Sequence, residues 1–390
     1  MKKIKIIAVS GIRSDYELLY PVLNELQKRS NVSLGVIATG AHNSFGFGDT
    51  IKDIKKDGFK IIGAIENLLN SNSVVGKAKS AGILLTSLPE LLARERPDLV
   101  VALGDREEPL IAAIAANCLN IPFAHIAGGD RSYPVIGDLD EGFRHATTKL
   151  SHIHFAMMPE HAERICKLGE ESWRVFTVGN PGLDRIRLEK KLSKSELSKQ
   201  LGVDISVNKN IVLIQHVIHQ EASESKRQIQ MTLDALSSFD ANLFIIHPNS
   251  DAGSLQMIEE IELQVAKHNN FRCFKNLPRK IFINLLRNAD LLIGNSSAGI
   301  IEAPYLKLPT INVGQRQKDR AHTYNVVFVP FNKEEIILAI DHALHDKAYI
   351  KKVKNCKSIY GDGFSAQRIA EILSEKIQYD ERLLAKDITY

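Results

Sequence analysis

Short, continuous apolar runs bounded by small or polar residues alternate along the whole chain with longer amphipathic segments. A strand that is apolar at consecutive positions is buried on both faces, and crossover helices above and below a parallel sheet supply that burial. The fold class is therefore α/β. The runs that read as strands are Ile4–Val9, Leu34–Ala38, Leu99–Leu103, Pro122–Ile126, Ile153–Met157 and Val175–Val178, then Ile211–Gln215, Leu243–Ile246, Leu291–Ile293, Thr310–Val313 and Val326–Val329. With 390 residues, the chain is long enough for two cores of about 150 to 200 residues each. Two Rossmann-like domains facing across a cleft are expected, joined through the Lys-, Glu- and Ser-rich stretch Arg185–Asn210. The expected limits are 1–185 and 186–364, with a helical segment at 365–390 able to pack back on the first domain.

Hydrophobic residues make up 44% and charged residues 25% of the chain, with a net charge of only +4. Basic and acidic residues are interspersed, so neither a nucleic-acid stripe nor a membrane-binding face stands out, and a small anionic substrate fits better. Cys118, Cys166, Cys273 and Cys356 lie far apart, unlike a zinc cage or a secreted disulfide framework. The opening Met1–Val9 lacks the apolar length of a signal peptide, and no run reaches the roughly 18 residues of a membrane span. A cytoplasmic protein is expected.

In doubly wound sheets ligands gather at the carboxyl ends of strands, so the polar residues that follow each strand are the candidates for chemistry. The stretch Asp290-Leu-Leu-Ile-Gly-Asn-Ser-Ser-Ala-Gly-Ile-Ile-Glu-Ala-Pro304 runs from a buried strand through small residues into a helix. Such a start offers N–H groups and the positive end of a dipole to an anion, and Gly294 and Gly299 would let a phosphate approach the backbone. Asn295, Ser296 and Ser297 add polar groups. Glu302, an acceptor-only side chain, suits a pair of sugar hydroxyls. Phosphate and hydroxyls together indicate a nucleotide.

After the first strand, Ser10-Gly-Ile-Arg-Ser-Asp15 offers Arg13 to a phosphate, with Asp15 as a helix cap or a functional acid. This turn is neither a GxGxxG fingerprint nor a P-loop, which argues against a dinucleotide cofactor. No cofactor is expected. Asp105, in Gly104-Asp105-Arg106, is either a cap or a catalytic group. His125-Ile-Ala-Gly-Gly-Asp130 ends the next strand, and Asp140 and Arg144 follow one helical turn apart, as an ion pair or a joint ligand site. In the second half His216 comes first off its strand, and His247-Pro-Asn249 follows another. Arg316 and Arg320 are spaced to clamp a diphosphate. No His-Glu spacing of a zinc helix and no GxSxG nucleophile elbow occurs, so neither an essential metal nor acyl hydrolysis is expected.

Taken in order, these segments resemble the UDP-N-acetylglucosamine 2-epimerase family over nearly the whole chain. The residues carrying the likeness are Gly11-x-Arg13-x-Asp15, Gly104-Asp105, His125-x-x-Gly128-Gly129, Asp140 with Arg144, His216, Gly294 to Gly299 with Glu302, and the late Tyr360-Gly-Asp-Gly363. Arg144-His-Ala-Thr-Thr-Lys149, His247-Pro-Asn-Ser-Asp-Ala-Gly253, Gly294-Asn-Ser-Ser297 and Gly314-Gln-Arg-Gln-Lys-Asp-Arg320 resemble the hydrolysing branch. One position departs. Many members carry a catalytic Glu two residues after the histidine of the fourth turn, where this chain has Ala127; Asp130 on the same loop is the substitute, or Asp105 and Asp140 suffice.

The resemblance implies a GT-B-like enzyme that removes the C2 proton of UDP-N-acetylglucosamine, expels UDP to leave a 2-acetamidoglucal, and adds water to give N-acetylmannosamine. On this reading the acids at 105, 130 and 140 carry the proton transfers. Arg13, His216 and Ser296–Ser297 stabilise the departing diphosphate, and Glu302 holds the ribose. The alternatives are a UDP- or GDP-2,4-diacetamido-trideoxyhexose of the legionaminic acid pathway as substrate, a non-hydrolysing epimerase, a glycosyltransferase, and a nucleotide-sugar binder without catalysis. The resemblance also implies a homodimer or homotetramer through the first domain.

Overall fold

The computed structural model describes residues 3–47, 49–69, 73–131, 139–248, 253–275 and 277–390. Its contacts divide the chain into two units, Met1–Arg187 with Tyr360–Tyr390, and Leu188–Ile359.

The first unit holds a seven-stranded sheet built from β1 (Ile4–Ser10), β2 (Val32–Ala38), β3 (Ile61–Ala64), β4 (Leu99–Leu103), β5 (Phe123–Ile126), β6 (Ile153–Ala156) and β7 (Val175–Thr177), in the order β3-β2-β1-β4-β5-β6-β7. Every pairing is parallel. The side-chain period of two explains the unbroken apolar runs. Ile6 and Ala8 of β1 face one core, with Leu19, Val22 and Leu23 of the helix Arg13–Gln27. Ile7 and Val9 face the opposite core, with Leu84, Leu88 and Ala112 of the helices Val74–Glu95 and Glu107–Cys118.

The second unit repeats this plan with six strands, β8 (Lys209–Ile214), β9 (Ala241–Ile246), β10 (Phe271–Phe274), β11 (Leu291–Gly294), β12 (Thr310–Val313) and β13 (Val326–Val329), ordered β10-β9-β8-β11-β12-β13. All its pairs are parallel. Ile211 and Leu213 of β8 enter one core, and Val212 and Ile214 enter the other. In both sheets the chain winds outward from a central strand and then reverses, so each has a switch point, between β1 and β4 and between β8 and β11.

Strands β3 and β10 are absent from the expected set. Both are four-residue edge strands, mostly half-buried, and their short runs are broken by Gly63 in β3 and by Arg272 in β10. The expected connection at Arg185–Asn210 contains a helix, Lys194–Leu201, started by a capping box between Ser193 and Glu196. The units divide after Arg187 and again before Tyr360, against expected divisions at 185 and 364. The later division moves because Tyr360 is already fully buried in the first unit, where its carbonyl accepts the Asn180 N–H at 2.7 Å. Beyond it, the buried Asp184 carboxylate accepts the N–H groups of Ser365 and Ala366, each at 3.0 Å, and starts the helix Ser365–Glu371. Ile369, Ile372 and Leu373 then join the core beside the helix Arg13–Gln27.

Candidate functional site

At the switch point of the first sheet, Gly11 and Asp15 follow β1, and Gly104 and Asp105 follow β4. Asp15 is not a cap. Ile12 holds that position for the helix Arg13–Gln27, and Asp15 lies within its first turn. Asp105 is not a cap either, because the next helix is headed by Arg106; instead its carboxylate is bound by the Arg144 guanidinium. Arg144, buried to 3% exposure, also donates to Glu141 one turn earlier and to the Asp130 carbonyl at 3.2 Å. One guanidinium thus ties the loop after β4 to the loop after β5. Asp140 opens the helix Asp140–Leu150 one turn before Arg144 and is half-buried.

Sequence reading missed the acid behind this cluster. Glu108 is 4% exposed, and its side chain fills the space where a Cβ on Gly11 would lie, 2.4 Å from its carboxyl carbon. Burial pushes Glu108 above the usual carboxylate range, and burial together with the Glu108 charge pushes Asp15 well above it. Two like charges in one partly enclosed place favour a retained proton. His125, expected only as a motif residue, is a structural bolt. Its Nε2 donates to the Gly104 carbonyl at 2.7 Å, so its Nδ1 accepts from the Thr148 hydroxyl at 3.2 Å, and burial lowers its pKa to about 3. Arg13, the first residue of its helix, is half-buried and lies 4.0 Å from Glu17.

The second sheet's switch point is organised by Asn295, which is fully buried between the ends of β8 and β11. Its Oδ1 accepts the His216 N–H at 2.7 Å and its Nδ2 donates to the His216 carbonyl at 2.9 Å. The Asn295 carbonyl in turn accepts from Arg316 and Gln317, each at 3.1 Å. Arg320 donates to the Gln317 side chain at 3.3 Å. The two arginines expected to clamp a diphosphate therefore also brace this loop. His216 is neutral at physiological pH, because burial and then the Arg316 charge lower its pKa to about 3, so it can offer a hydrogen bond but no cationic charge.

The expected helix start is also revised. Ala298–Ile301 and Ala303–Leu306 are separate four-residue helices that meet at Glu302, too short for the full dipole of a long helix. Gly294 and Gly299 are each also required by close packing within the unit. A Cβ on Gly294, at φ +123, would lie 2.1 Å from the Ile214 carbonyl oxygen; one on Gly299 would lie 2.6 Å from the Thr310 methyl. The Gly299 N–H is taken by the Ser296 carbonyl at 3.1 Å. Ser296 and Ser297 remain half-buried at the turn, and the Ser296 hydroxyl accepts the Ala298 N–H at 3.3 Å. Glu302 is held by a residue that sequence reading missed, Arg279, which donates to its Oε1 at 2.6 Å; the other oxygen, Oε2, is buried and makes no hydrogen bond among the described residues. His247 follows β9, half-buried, and its buried Nε2 makes no hydrogen bond among the described residues. Asn249 lies outside the described residues.

The loops after β1, β4 and β5, the helix Asp140–Leu150 and the turns after β8 and β11 carry most of the residues on which the family resemblance rests, with Tyr360 to Gly363 following later in the chain. A family model described as UDP-N-acetylglucosamine 2-epimerase matches residues 24–374. The chain belongs to this epimerase family. The relatives include a Legionella pneumophila protein named UDP-N,N'-diacetylbacillosamine 2-epimerase (hydrolyzing), 38% identical over 369 residues, which are 95% of either chain. A Campylobacter jejuni protein named GDP/UDP-N,N'-diacetylbacillosamine 2-epimerase (hydrolyzing) is 35% identical over 84% of either chain. With such relatives this family member falls in the hydrolysing branch and is an enzyme. Among solved structures, a UDP-GlcNAc 2-epimerase from Neisseria meningitidis matches the fold at a TM-score of 0.81 and 20% identity, over 95% of this chain and 99% of that one. The α/β, GT-B-like class of these epimerases is thereby shared. No helix among the described residues is long and apolar enough to cross a membrane.

Proposed function

We propose that this epimerase hydrolyses and inverts a UDP-linked 2,4-diacetamido-trideoxy sugar of the N,N'-diacetylbacillosamine type, releasing UDP and the free 2-epimer. The observation that carries the reading is the joining of Asp105 and Asp130 through the buried Arg144 at the carboxyl ends of β4 and β5. Two carboxyl groups on two rigid turns supply the acid and base that an elimination and a hydration need. Two relatives of 38% and 35% identity bear names with that sugar, which moves the substrate from N-acetylglucosamine, first in the sequence reading, to the diacetamido alternative.

On this reading Asp130, 6% exposed, removes the C2 proton. The C2–H electrons form a C1=C2 double bond as the C1–O bond breaks, and its electron pair leaves on the β-phosphate of UDP. Asp105 and Asp140 then pass a proton to the opposite face of C2 as water adds its hydroxyl to C1, so that sugar nucleotide and one water give UDP and the epimeric sugar. In the second unit, the neutral His216, Ser296 and Ser297 donate to the diphosphate, and the buried Oε2 of Glu302 accepts a ribose hydroxyl. Arg13, Arg316, Arg320 and His247 complete the anion contacts, and the chain works as a homo-oligomer.

Phosphorus and proton NMR in deuterated buffer tests the reaction, with UDP-N,N'-diacetylbacillosamine and UDP-N-acetylglucosamine offered separately. Free UDP with deuterium at C2 of the released sugar supports the reaction, and the faster of the two names the substrate. A product that keeps its nucleotide refutes hydrolysis.

A further inference from the structure

The loop that carries Asp130 is fastened to the helix Pro159–Lys167, which the proposed reaction does not use. His161, near the start of that helix, is only 1% exposed, and its Nε2 lies 3.4 Å from Asp130 Oδ1. A Cβ on Gly129 would come within 2.2 Å of the His161 carbonyl oxygen, so glycine there lets the loop lie directly on the helix start. One turn on, Arg164 donates to the Gly129 carbonyl at 2.9 Å. The His161 ring also packs edge-on against the buried Tyr360, centroid to centroid 6.2 Å, at the point where the chain re-enters the first unit. Tyr360 belongs to the late Tyr-Gly-Asp-Gly motif, which the catalytic reading leaves without a task. Asp130 is thus held from three sides: its backbone by Arg144, its neighbouring carbonyl by Arg164, and its carboxylate by His161 and by the N–H of Arg131 at 2.7 Å.

We propose that His161, backed by Tyr360, is the positioning residue of the acid at 130, directing its carboxylate and setting its proton affinity in place of the glutamate that many relatives carry where this chain has Ala127. The proposal rests on the reading of Asp130 as the base. An aspartate further along the loop must be aimed by something other than its own backbone. A buried imidazole within hydrogen-bond reach does this through its Nε2–H, which donates to the carboxylate and favours its ionised form over the acid. The charged and titratable groups facing the pair are Arg144, Arg164 and, through Arg144, Asp105 and Glu141; Tyr360 is the ring behind it.

Two measurements on the full chain test it. Long-range nitrogen–proton NMR of the histidine rings, with no sugar nucleotide added, is compared between wild type and Asp130→Asn. The expected result is a His161 ring protonated at Nε2, whose signal moves when the carboxylate is replaced; an unmoved signal overturns the pair. Kinetics then compare His161→Leu with His161→Gln, which keeps an N–H donor. The expected result for His161→Leu is a fall in kcat on the order of 10- to 100-fold with a shifted pH profile and UDP affinity within about twofold, partly restored in His161→Gln. Adding His161→Leu to Asp130→Asn should cost nothing further. Wild-type kcat in His161→Leu, or full additivity with Asp130→Asn, overturns the positioning role. A wild-type protein that turns over neither sugar nucleotide instead overturns the proposed function, while the ring spectrum still decides whether the pair exists.

Discussion

Gly294→Ala is the sharpest test of how the second switch point is built. The added methyl would lie 2.1 Å from the Ile214 carbonyl oxygen, 2.5 Å from its carbon and 3.1 Å from the Gln215 nitrogen, all backbone atoms. A carbon–oxygen contact needs about 3.3 Å, so the last pair of the β8–β11 ladder, Gly294 with Ile214, must part by roughly 1 Å. Overpacking of that kind costs about 1 to 3 kcal/mol, and an alanine at φ +123 a similar about 1 to 3. The sum is about 2 to 6 kcal/mol, delivered beside the two hydrogen bonds that join Asn295 to His216. Because the chain has two units, the assay is amide exchange at Val212, Leu213 and Leu292, which reports this sheet alone. At about 1.4 kcal/mol per tenfold, exchange should speed up at least about 30-fold, and UDP affinity should fall with it. Gly299→Ala is the control, since its methyl meets the Thr310 methyl at 2.6 Å, a side chain that can be trimmed. Thr310→Ser should rescue Gly299→Ala and leave Gly294→Ala unrescued. Unchanged exchange and UDP affinity in Gly294→Ala would refute the close-approach argument.

Asp105→Asn should lower kcat by about 100-fold or more while UDP affinity, measured by calorimetry, stays near wild type; activity within tenfold would remove Asp105 from the proton transfers. Asp184→Ala leaves the Ser365 and Ala366 N–H groups without their acceptor and should cost about 2 to 4 kcal/mol, read as faster amide exchange at those two positions. His125 gives a pH signature. Its folded pKa of about 3 lies below the roughly 6.5 of an unfolded histidine, so the unfolded chain takes up a proton that the folded one refuses as pH falls. Its contribution is steady above about pH 6.5 and falls by about 1.4 kcal/mol per pH unit below that, down to about pH 3. Denaturant titrations of His125→Gln between about pH 6 and 4 should show a slope shallower by that amount, and an identical slope would count against a neutral buried ring.

The centres of both sheets were legible because a strand buried on both faces needs consecutive apolar residues, as β1 has from Ile6 to Val9 and β11 from Leu291 to Ile293. Of the four edge strands β7 and β13 were legible, whereas β3 and β10 were not, being short, mostly half-buried and interrupted by Gly63 and Arg272. Polar residues after strands were found by their place in the chain, and Asp105, Arg144, His216 and Asn295 do lie at the switch points. Their partners were hidden. Arg279 reaches Glu302 from 23 residues upstream, and Glu108 is paired with Gly11 through the neighbouring strand, relations that no local pattern encodes. His161 stands in Pro159-Glu-His-Ala-Glu-Arg164, which reads as an ordinary amphipathic helix start. Gly294 and Gly299 were recognised as special, but their packing neighbours were hidden, because a position that excludes a side chain looks the same in sequence whether a ligand, the Ile214 carbonyl or the Thr310 methyl excludes it.

The division of the chain bears on how it is made. Residues 188–359 are interpolated into the first unit, whose core takes Ile369, Ile372, Leu373 and Leu383 from the stretch that follows the interpolation. During vectorial synthesis the interpolated unit has its whole sequence available first, while its host must wait for residues 360–390. A chain truncated just after Ile359 would therefore carry every residue of the interpolated unit while its host lacked the Ile369, Ile372 and Leu373 of its core.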